Sequence, residues 1–282
     1  MSSGGVHERL EERIQAWRVS VDRMVETETS LLAFGLRDRQ AVVLKLIRGA
    51  GEEWRSGQVL EAFGGRGVVR ALEHVDGAVL LERLLPGESL AAAGENLDDE
   101  EATAILADVI GRMSPAPPPP DVATVEDWGR SFERYASSGN GAIEGALVEA
   151  ARRTYAQLGA SQSDIGLLHG DLHHGNVLKD ATRGWLAIDP KGVVGELAYE
   201  AGAALRNPSD QPALFAAPAV IEKRAGVFAR ALRLDPERIL GWAFAQAVLA
   251  AIWDVEDHGA LDAGAGFVAL ANALRPRLRQ GA

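Results

Sequence analysis

The 282-residue chain is 47% hydrophobic and contains six tryptophans, a composition that can bury a sizeable core and argues against disorder. Its formal net charge of −11 would repel a phosphate backbone, which disfavours nucleic acid as a partner and suits a small cationic molecule better. The apolar runs are broken by charges well short of a bilayer span, no secretory signal is recognisable, and cysteine is absent. We therefore expect a monomeric cytoplasmic protein of two domains or lobes, without a membrane segment.

The N-terminal third is predicted to form a small antiparallel sheet. Apolar positions recur at helical spacing from Val6 to Trp17, which predicts an amphipathic helix. Three short β-like runs follow, and an Asp76-Gly77 turn between two more apolar runs is a strong hairpin signal. Residues 51–63 have helical spacing and are followed by two glycines that can end a helix. Five strands with one inserted helix are therefore expected.

The rest of the chain is predicted to be mainly helical. Acidic residues open a helical pattern at residues 98–113, where they suit a helix N-terminus. SPAPPPP, residues 114–120, indicates a stiff extended connector, and two further helical patterns flank SSGNG at residues 137–141. A short β-like run ends at Asp189, and from Ile221 onward the pattern is helical again. The predicted fold class is α+β.

The most polar stretch is LLHGDLHHGNVLKD, residues 167–180. Transfer of a phosphoryl group from ATP needs a carboxylate that takes the acceptor proton, a carboxylate and an amide for Mg²⁺, and a lysine on the phosphates. Asp171 and Asn176 lie five residues apart in this stretch, and Asp189 ends the strand that follows. A loop and the hairpin beyond it can therefore bring these three side chains together.

Lys45 is the lysine that the pattern places inside a strong strand, AVVLKLI. A lysine whose stem lies along an apolar edge and whose ammonium reaches solvent is the commoner explanation for such a residue taken alone. An ammonium flanked by apolar residues on both sides needs an anionic partner. Glu53, on the core-leaning side of the following helix, is the expected partner, with Glu52 as the alternative.

HGDLHHGNVL (residues 169–178) and AIDPKG (residues 187–192) resemble the aminoglycoside phosphotransferase family, whose members share a two-lobed protein-kinase-like fold. LLHGDLHHGNVL, WLAIDPKG, ALRNP and GGRGVVRALE are similar to its streptomycin 6-phosphotransferase and hydroxyurea kinase branch. The resemblance implies an N-terminal nucleotide-binding lobe, residues 1–84, with a five-stranded antiparallel sheet plus a helix. A mainly helical catalytic and substrate-binding lobe, residues 85–282, would follow, with the active site in the cleft.

Carried over position by position, the resemblance implies a role for each part of the site. Asp171 is the expected catalytic base, and His169 is expected to support its loop. Asn176 and Asp189 are expected to bind Mg²⁺. The residues implied in ATP binding are Lys45 on the phosphates, Glu53 orienting that lysine, Thr27, Thr29 or Ser30 in a phosphate-covering loop, and a hinge from Glu82 to Leu84 around the adenine.

The sequence departs from the expected pattern in its details. The strand lysine is not preceded by G-x-G-x-x-G; VETETS stands there, with glutamates that would repel a triphosphate. Glu196 and Glu200 stand where relatives usually have aspartate. His173, His174 and Lys191 fall inside the motifs but receive no role. These departures concern the fine geometry of the site and leave the expected reaction type unchanged.

The function predicted is transfer of the ATP γ-phosphoryl group to a hydroxyl of a small cationic acceptor, with streptomycin-like aminoglycosides favoured and GTP left open as a donor. WDVEDHG, residues 253–259, supplies the candidate acceptor-binding carboxylates Asp254, Glu256 and Asp257. A solvated helix end explains this cluster equally well.

Three other functions stay open at this point. Two of them are a kinase of another small hydroxylated amine and a nucleotide-binding scaffold without turnover. The third is a metal-dependent phosphoesterase, in which the D-x-H pattern of the motif would ligate a di-metal centre. After Asn176 the sequence contains only His258 as a further histidine, so this third alternative is short of ligands.

Overall fold

The computed structural model describes residues 3–93, 97–262 and 264–278. In these ranges the strands are β1 (Ser20–Glu26), β2 (Ser30–Arg37), β3 (Gln40–Ile47), β4 (Ala71–Val75), β5 (Ala78–Glu82), β6 (Pro86–Ser89), β7 (Gly166–Leu168), β8 (Val177–Asp180), β9 (Gly184–Ala187) and β10 (Val193–Gly195). The helices are α1 (Ser3–Ala16), α2 (Ser56–Phe63), α3 (Leu90–Ala93), α4 (Asp99–Met113), α5 (Val125–Ser138), α6 (Gly145–Ala160), α7 (Leu197–Leu205), α8 (Pro212–Phe215), α9 (Pro218–Leu232), α10 (Pro236–His258) and α11 (Gly264–Leu274). Short 3₁₀ turns lie at Glu52–Arg55, His174–Asn176 and Arg275–Arg277.

The first five strands form one antiparallel sheet in the order β1-β2-β3-β5-β4, which confirms the predicted N-terminal sheet. The β4–β5 hairpin turns at Gly77, whose φ of 79° lies in the left-handed region that favours glycine. β3 is the central strand, and its Lys45 is paired with Leu32 on β2 and with Val79 on β5. Strand pairing on both sides therefore fixes the backbone of this lysine.

The helix predicted over residues 51–63 is present in two parts. A 3₁₀ turn, Glu52–Arg55, comes first, and α2 follows until Gly64 ends it with a φ of 61°. Successive side chains on a 3₁₀ turn lie about 120° apart around the axis. Glu52 and Glu53 therefore project in different directions.

α10 is the central helix of the C-terminal lobe. It packs against α5, α6, α7, α9 and α11. By length and composition alone it could cross a membrane, but 83% of its apolar window is buried inside the fold. A helix surrounded by other helices is apolar on all sides, so its packing accounts for its composition.

Two small sheets hold the polar segment of residues 169–176. β8 and β9 pair as the expected hairpin, and β6 adds to β8 as a third strand that was not predicted. β7 pairs with β10, a contact that was not predicted either. Because β7 precedes the segment and β8 follows it, strand pairing fixes both of its ends.

The hydrophobic core has two parts. α1 covers one face of the N-terminal sheet, where Leu10 packs in a cluster with Leu31 and Leu44. Val79 of the same sheet belongs instead to a continuous core that includes α2 and the helices of the C-terminal lobe. This core extends past the predicted lobe boundary at Leu84, and the position of that boundary stays a prediction.

Candidate active site

The residues from His169 to Asn176 form a compact loop between β7 and β8. The Asn176 side-chain amide donates to the backbone carbonyl of Asp171 across the loop, at 3.0 Å. The Ile188 N–H donates to the Asn176 carbonyl at 2.9 Å, which ties the end of the loop to the end of β9. These two bonds bring Asp171 and Asn176 together and tie the loop to Ile188, the residue before Asp189.

His169 is fully buried beneath this loop. Its Nε2 lies 2.8 Å from the Ile188 carbonyl, and its Nδ1 accepts the Asp171 N–H at 3.2 Å. Burial lowers the pKa of His169 to about 4, so the ring is neutral near pH 7. These two contacts require a proton on Nε2 and none on Nδ1. The neutral ring thus links the backbone of Asp171 to the end of β9.

Glu200 on α7 holds the start of the same loop. Its carboxylate accepts the N–H groups of His169 at 2.6 Å and Gly170 at 3.1 Å. Burial raises the pKa of the Glu200 carboxyl to about 7. Glu196 has a different partner, the Arg238 guanidinium, at 2.5 Å. Of the two glutamates that the sequence analysis singled out, Glu200 is therefore the one that supports the loop.

Lys45 connects the N-terminal sheet to Asp189, which follows β9. Its Nζ lies 2.7 Å from Glu53 Oε2 and 3.0 Å from Asp189 Oδ1, and only 5% of its side chain is exposed. Burial alone would lower the pKa of Lys45, but the charges of Asp189 and Glu53 outweigh it and raise the pKa above its usual value. The lysine is therefore charged, and its carboxylate partner on the turn before α2 is Glu53, not Glu52.

Asn176 and Asp189 supply oxygen atoms suited to a hard cation such as Mg²⁺. The Asn176 amide nitrogen is engaged with the loop backbone, which leaves its side-chain oxygen as the donor for a metal. Asp189 keeps 35% of its side chain exposed beside Lys45. One carboxylate and one amide fit Mg²⁺, which commonly takes few protein ligands and completes its shell with phosphates and water.

The surroundings of Asp171 contain two cations that sequence reasoning left without a role. Lys191 Nζ lies 3.8 Å from Asp171 Oδ2, and Arg206 lies 3.7 Å from Oδ1. Burial alone would raise the pKa of Asp171, but the charges of Lys191, His173 and Arg206 lower it below its usual value. Asp171 is therefore ionised, as a base must be. The sequence feature that could have identified Arg206 is its position at the end of the apolar pattern in ALRNP.

The predicted hinge from Glu82 to Leu84 begins at Glu82, the last residue of β5. The Glu82 carboxylate accepts the Arg70 N–H at 2.9 Å and forms an ion pair with Arg183 on the β8–β9 turn. Leu84 is 7% exposed. The Glu82 side chain is used in these two contacts between the lobes. An adenine would therefore have to bind the backbone of the hinge.

The predicted phosphate-covering loop is a tight turn between β1 and β2. Thr27 Oγ1 accepts the Ser30 N–H at 3.0 Å, and the two hydroxyls lie 2.9 Å apart. Ser30 is only 3% exposed, which disfavours contact of its hydroxyl with phosphate, and that contact stays a prediction. The hydroxyl is used inside the turn instead. Thr29 is exposed and stays a candidate.

The acidic cluster at the end of α10 is only partly available to an acceptor. Asp254 Oδ2 accepts the N–H groups of Asp262 at 2.7 Å and Gly264 at 3.0 Å, and its side chain is 7% exposed. The Asp254 carboxylate holds the start of α11, which disfavours Asp254 as a substrate ligand, and its role in substrate binding stays a prediction. Glu256 is in an ion pair with Arg134 at 3.3 Å. Asp257 is exposed.

A buried lysine joined to two acids across a cleft, above a loop with an ionised aspartate, defines a phosphotransferase of the protein-kinase-like class. Aminoglycoside phosphotransferase APH(4)-Ia, as a thermostable mutant in ternary complex with ADP and hygromycin B, aligns with a TM-score of 0.64 and 17% identity, covering 96% of this chain and 99% of that one. Choline kinase LicA from Streptococcus pneumoniae aligns with a TM-score of 0.63 and 15% identity, with coverages of 96% and 99%. These similarities confirm the predicted two-lobed α+β fold.

The chain belongs to the aminoglycoside/hydroxyurea antibiotic resistance kinase family, whose family model matches residues 16–258. Streptomycin 3''-kinase from Klebsiella pneumoniae is 32% identical over 94% of this chain and 99% of its own length. Streptomycin 6-kinase from Streptomyces glaucescens is 32% identical over 94% and 88%. Hydroxyurea phosphotransferase from Kitasatospora aureofaciens is 30% identical over 90% and 74%. The predicted family is confirmed, and the protein is a kinase that transfers phosphate from a nucleotide to a hydroxyl group.

Proposed function

We propose that the protein transfers the γ-phosphoryl group of ATP to a hydroxyl of streptomycin and thereby inactivates the antibiotic. The observation that carries the proposal is the 3.0 Å contact between Lys45 of the sheet and Asp189. Two residues after Asp189, Lys191 contacts Asp171. This contact joins the expected donor side of the cleft to the expected acceptor side. Several of the most similar curated proteins are streptomycin kinases.

Each residue has a role that its contacts support. Lys45, held by Glu53, binds the phosphates of the nucleotide, and the backbone of the hinge binds its base. Asn176 and Asp189 hold Mg²⁺, which offsets the negative charge on the phosphates. Asp171 accepts the proton of the acceptor hydroxyl as that oxygen attacks the γ-phosphorus and the bond to the ADP oxygen breaks.

The acceptor is proposed to be a polycation because the chain is acidic and exposed acids lie at the end of α10. The formal net charge is −11, and the exposed residues Glu256 and Asp257 follow Trp253 by three and four positions at the end of α10. The guanidinium groups of streptomycin suit such surroundings. Among the described residues, no three His, Asp or Glu side chains come together as a metal cluster, so that part of the chain offers no di-metal centre for a phosphoesterase.

The test is a panel of acceptors incubated with ATP or GTP and Mg²⁺ and analysed by mass spectrometry. We expect a phosphate adduct on streptomycin, and fragmentation of the product identifies the modified hydroxyl. Hydroxyurea, choline and hygromycin B are the comparison acceptors. An adduct on one of these and none on streptomycin would replace the proposed acceptor. ATP binding without any adduct would favour the scaffold without turnover.

A further inference from the structure

Two consecutive glutamates on the 3₁₀ turn contact two different lysines. Glu53 Oε2 lies 2.7 Å from Lys45 Nζ, whereas Glu52 Oε2 lies 3.3 Å from Lys191 Nζ. Lys191 Nζ is also 3.8 Å from Asp171 Oδ2. A single turn of the N-terminal lobe therefore reaches both the nucleotide lysine and the cation beside the proposed base.

Lys191 is shared between two carboxylates, and the shorter contact is the one to Glu52. The ammonium lies 5.8 Å from the centre of the Trp253 ring, and 28% of the side chain is exposed. If Glu52 lost its charge, Asp171 would be the carboxylate left within 4 Å of the ammonium among these contacts. Lys191 would then close on Asp171 and cover the oxygen that has to accept the hydroxyl proton.

We propose that Glu52 is a positioning residue for the transfer reaction: it holds the Lys191 ammonium at 3.8 Å from Asp171 Oδ2, beyond hydrogen-bond distance, so that this oxygen can accept the proton of the acceptor hydroxyl. The inference rests on the proposed function, in which Asp171 is the base.

The contact also links the two lobes. Glu52 belongs to the turn before α2, and Lys191 follows the hairpin of the C-terminal lobe. Arg55 of the same turn reaches Asp121 at 3.3 Å, a second ion pair across the same gap. Glu52 can therefore hold Lys191 only while the two lobes are packed together as they are in this structure.

A purely structural role for Glu52 is expected to be minor, because 47% of its side chain is exposed and exposed ion pairs add little to stability. The chain offers a matched control in Arg37 and Glu73, an ion pair of the N-terminal sheet with the same 3.3 Å separation and side-chain exposures of 21% and 52%. Glu73→Gln should therefore change the melting temperature about as much as Glu52→Gln does, without touching the cleft.

The experiment compares steady-state kinetics of the full-length wild type, Glu52→Gln, Glu52→Asp, Glu73→Gln, Lys191→Met and the double variant Glu52→Gln/Lys191→Met. We expect Glu52→Gln to lower kcat about tenfold with the KM for ATP changed less than about twofold, and Glu52→Asp to recover part of the loss. Glu73→Gln should match the wild type. In the Lys191→Met background the Glu52→Gln change should have no further effect, because Glu52 acts through that lysine.

Two results would overturn the inference: an unchanged kcat in Glu52→Gln, or the same tenfold loss in the Lys191→Met background. Rates are measured with streptomycin and also for ATP hydrolysis, where water is the acceptor. If the wild type hydrolyses ATP but leaves streptomycin unmodified, streptomycin is not the acceptor. The hydrolysis rates of the variants then still test the role of Glu52. A wild type inactive towards both would remove both proposals.

Discussion

The catalytic loop and the end of α10 are each held in shape by a buried carboxylate that accepts two backbone N–H groups. For the loop this carboxylate is Glu200, which comes from α7, a separate element. For the end of α10 it is Asp254, a member of the acidic cluster itself. Because the loop is supported from outside, the Asp171 carboxylate is not used to hold the loop and stays a candidate base. The acidic cluster instead uses its own first aspartate to fold the chain that follows it.

Whether an acidic motif can bind a ligand depends on where the hydrogen bonds of its carboxylates go. Both segments contain acids that the sequence analysis singled out, Asp171 in the loop and Asp254, Glu256 and Asp257 at the end of α10. The Asp254 carboxylate is 7% exposed, and its Oδ2 already accepts two backbone N–H groups, so it offers little to a ligand from solvent. The same argument disfavours a phosphate contact for Ser30, since its hydroxyl is paired with that of Thr27.

The largest expected effect is at the loop. Asp171→Asn should lower kcat by about a thousandfold, because an amide cannot take the hydroxyl proton. The melting temperature should stay close to that of the wild type, since Glu200 supports the loop independently of this side chain. Steady-state rates and thermal melts check both parts. Retained turnover would show that Asp171 is not the base, and the contrast between the loop and the end of α10 would not hold.

A second change tests the outside support. The usual pKa of 4.5 for glutamate is raised to about 7 at Glu200, so its contribution favours folding below about pH 4.5 and is lost as the pH rises through about 7. The free energy of unfolding of the wild type minus that of Glu200→Gln should therefore fall by about 3 kcal/mol over this range. Urea denaturation at a series of pH values measures it, and His169, present in both proteins, cancels in the difference. A difference that is constant with pH would contradict the raised pKa.

A third change tests the support at the end of α10. Asp254→Asn should lower the free energy of unfolding by about 1–3 kcal/mol, because an amide accepts the N–H groups of Asp262 and Gly264 less well. The KM for the acceptor should change little. Denaturant unfolding and acceptor titrations measure the two quantities. A raised KM with unchanged stability would restore Asp254 as an acceptor-binding residue.

The smallest effect is expected at Asp257. Its side chain is exposed, so Asp257→Asn should leave stability unchanged and raise the KM for a cationic acceptor by less than about threefold. The increase should diminish at high salt, because screening weakens exposed charges. Acceptor titrations at low and high ionic strength check this. An increase that is independent of salt would point to a direct contact rather than to long-range attraction.

The parts that could be predicted are those in which neighbouring residues decide the outcome. The hairpin at Gly77 and the spacing from Asp171 to Asn176 are local, and local patterns in the sequence carry them. The partner of Lys45 was left between two adjacent glutamates, because a one-residue choice depends on the direction of a side chain on a 3₁₀ turn. Arg206 was missed because its approach to Asp171 spans 35 positions of the chain and depends on how α7 packs.

The N-terminal strands, the oxygen-bearing residues of the catalytic loop and the family could all be recognised from the sequence, since each depends on residue type and short spacing. Tertiary structure alone decided which acids stay free, because that depends on backbone N–H groups brought in by distant elements. It also placed Glu52 beside Lys191, a contact between lobes that exists only when the two cores are packed together.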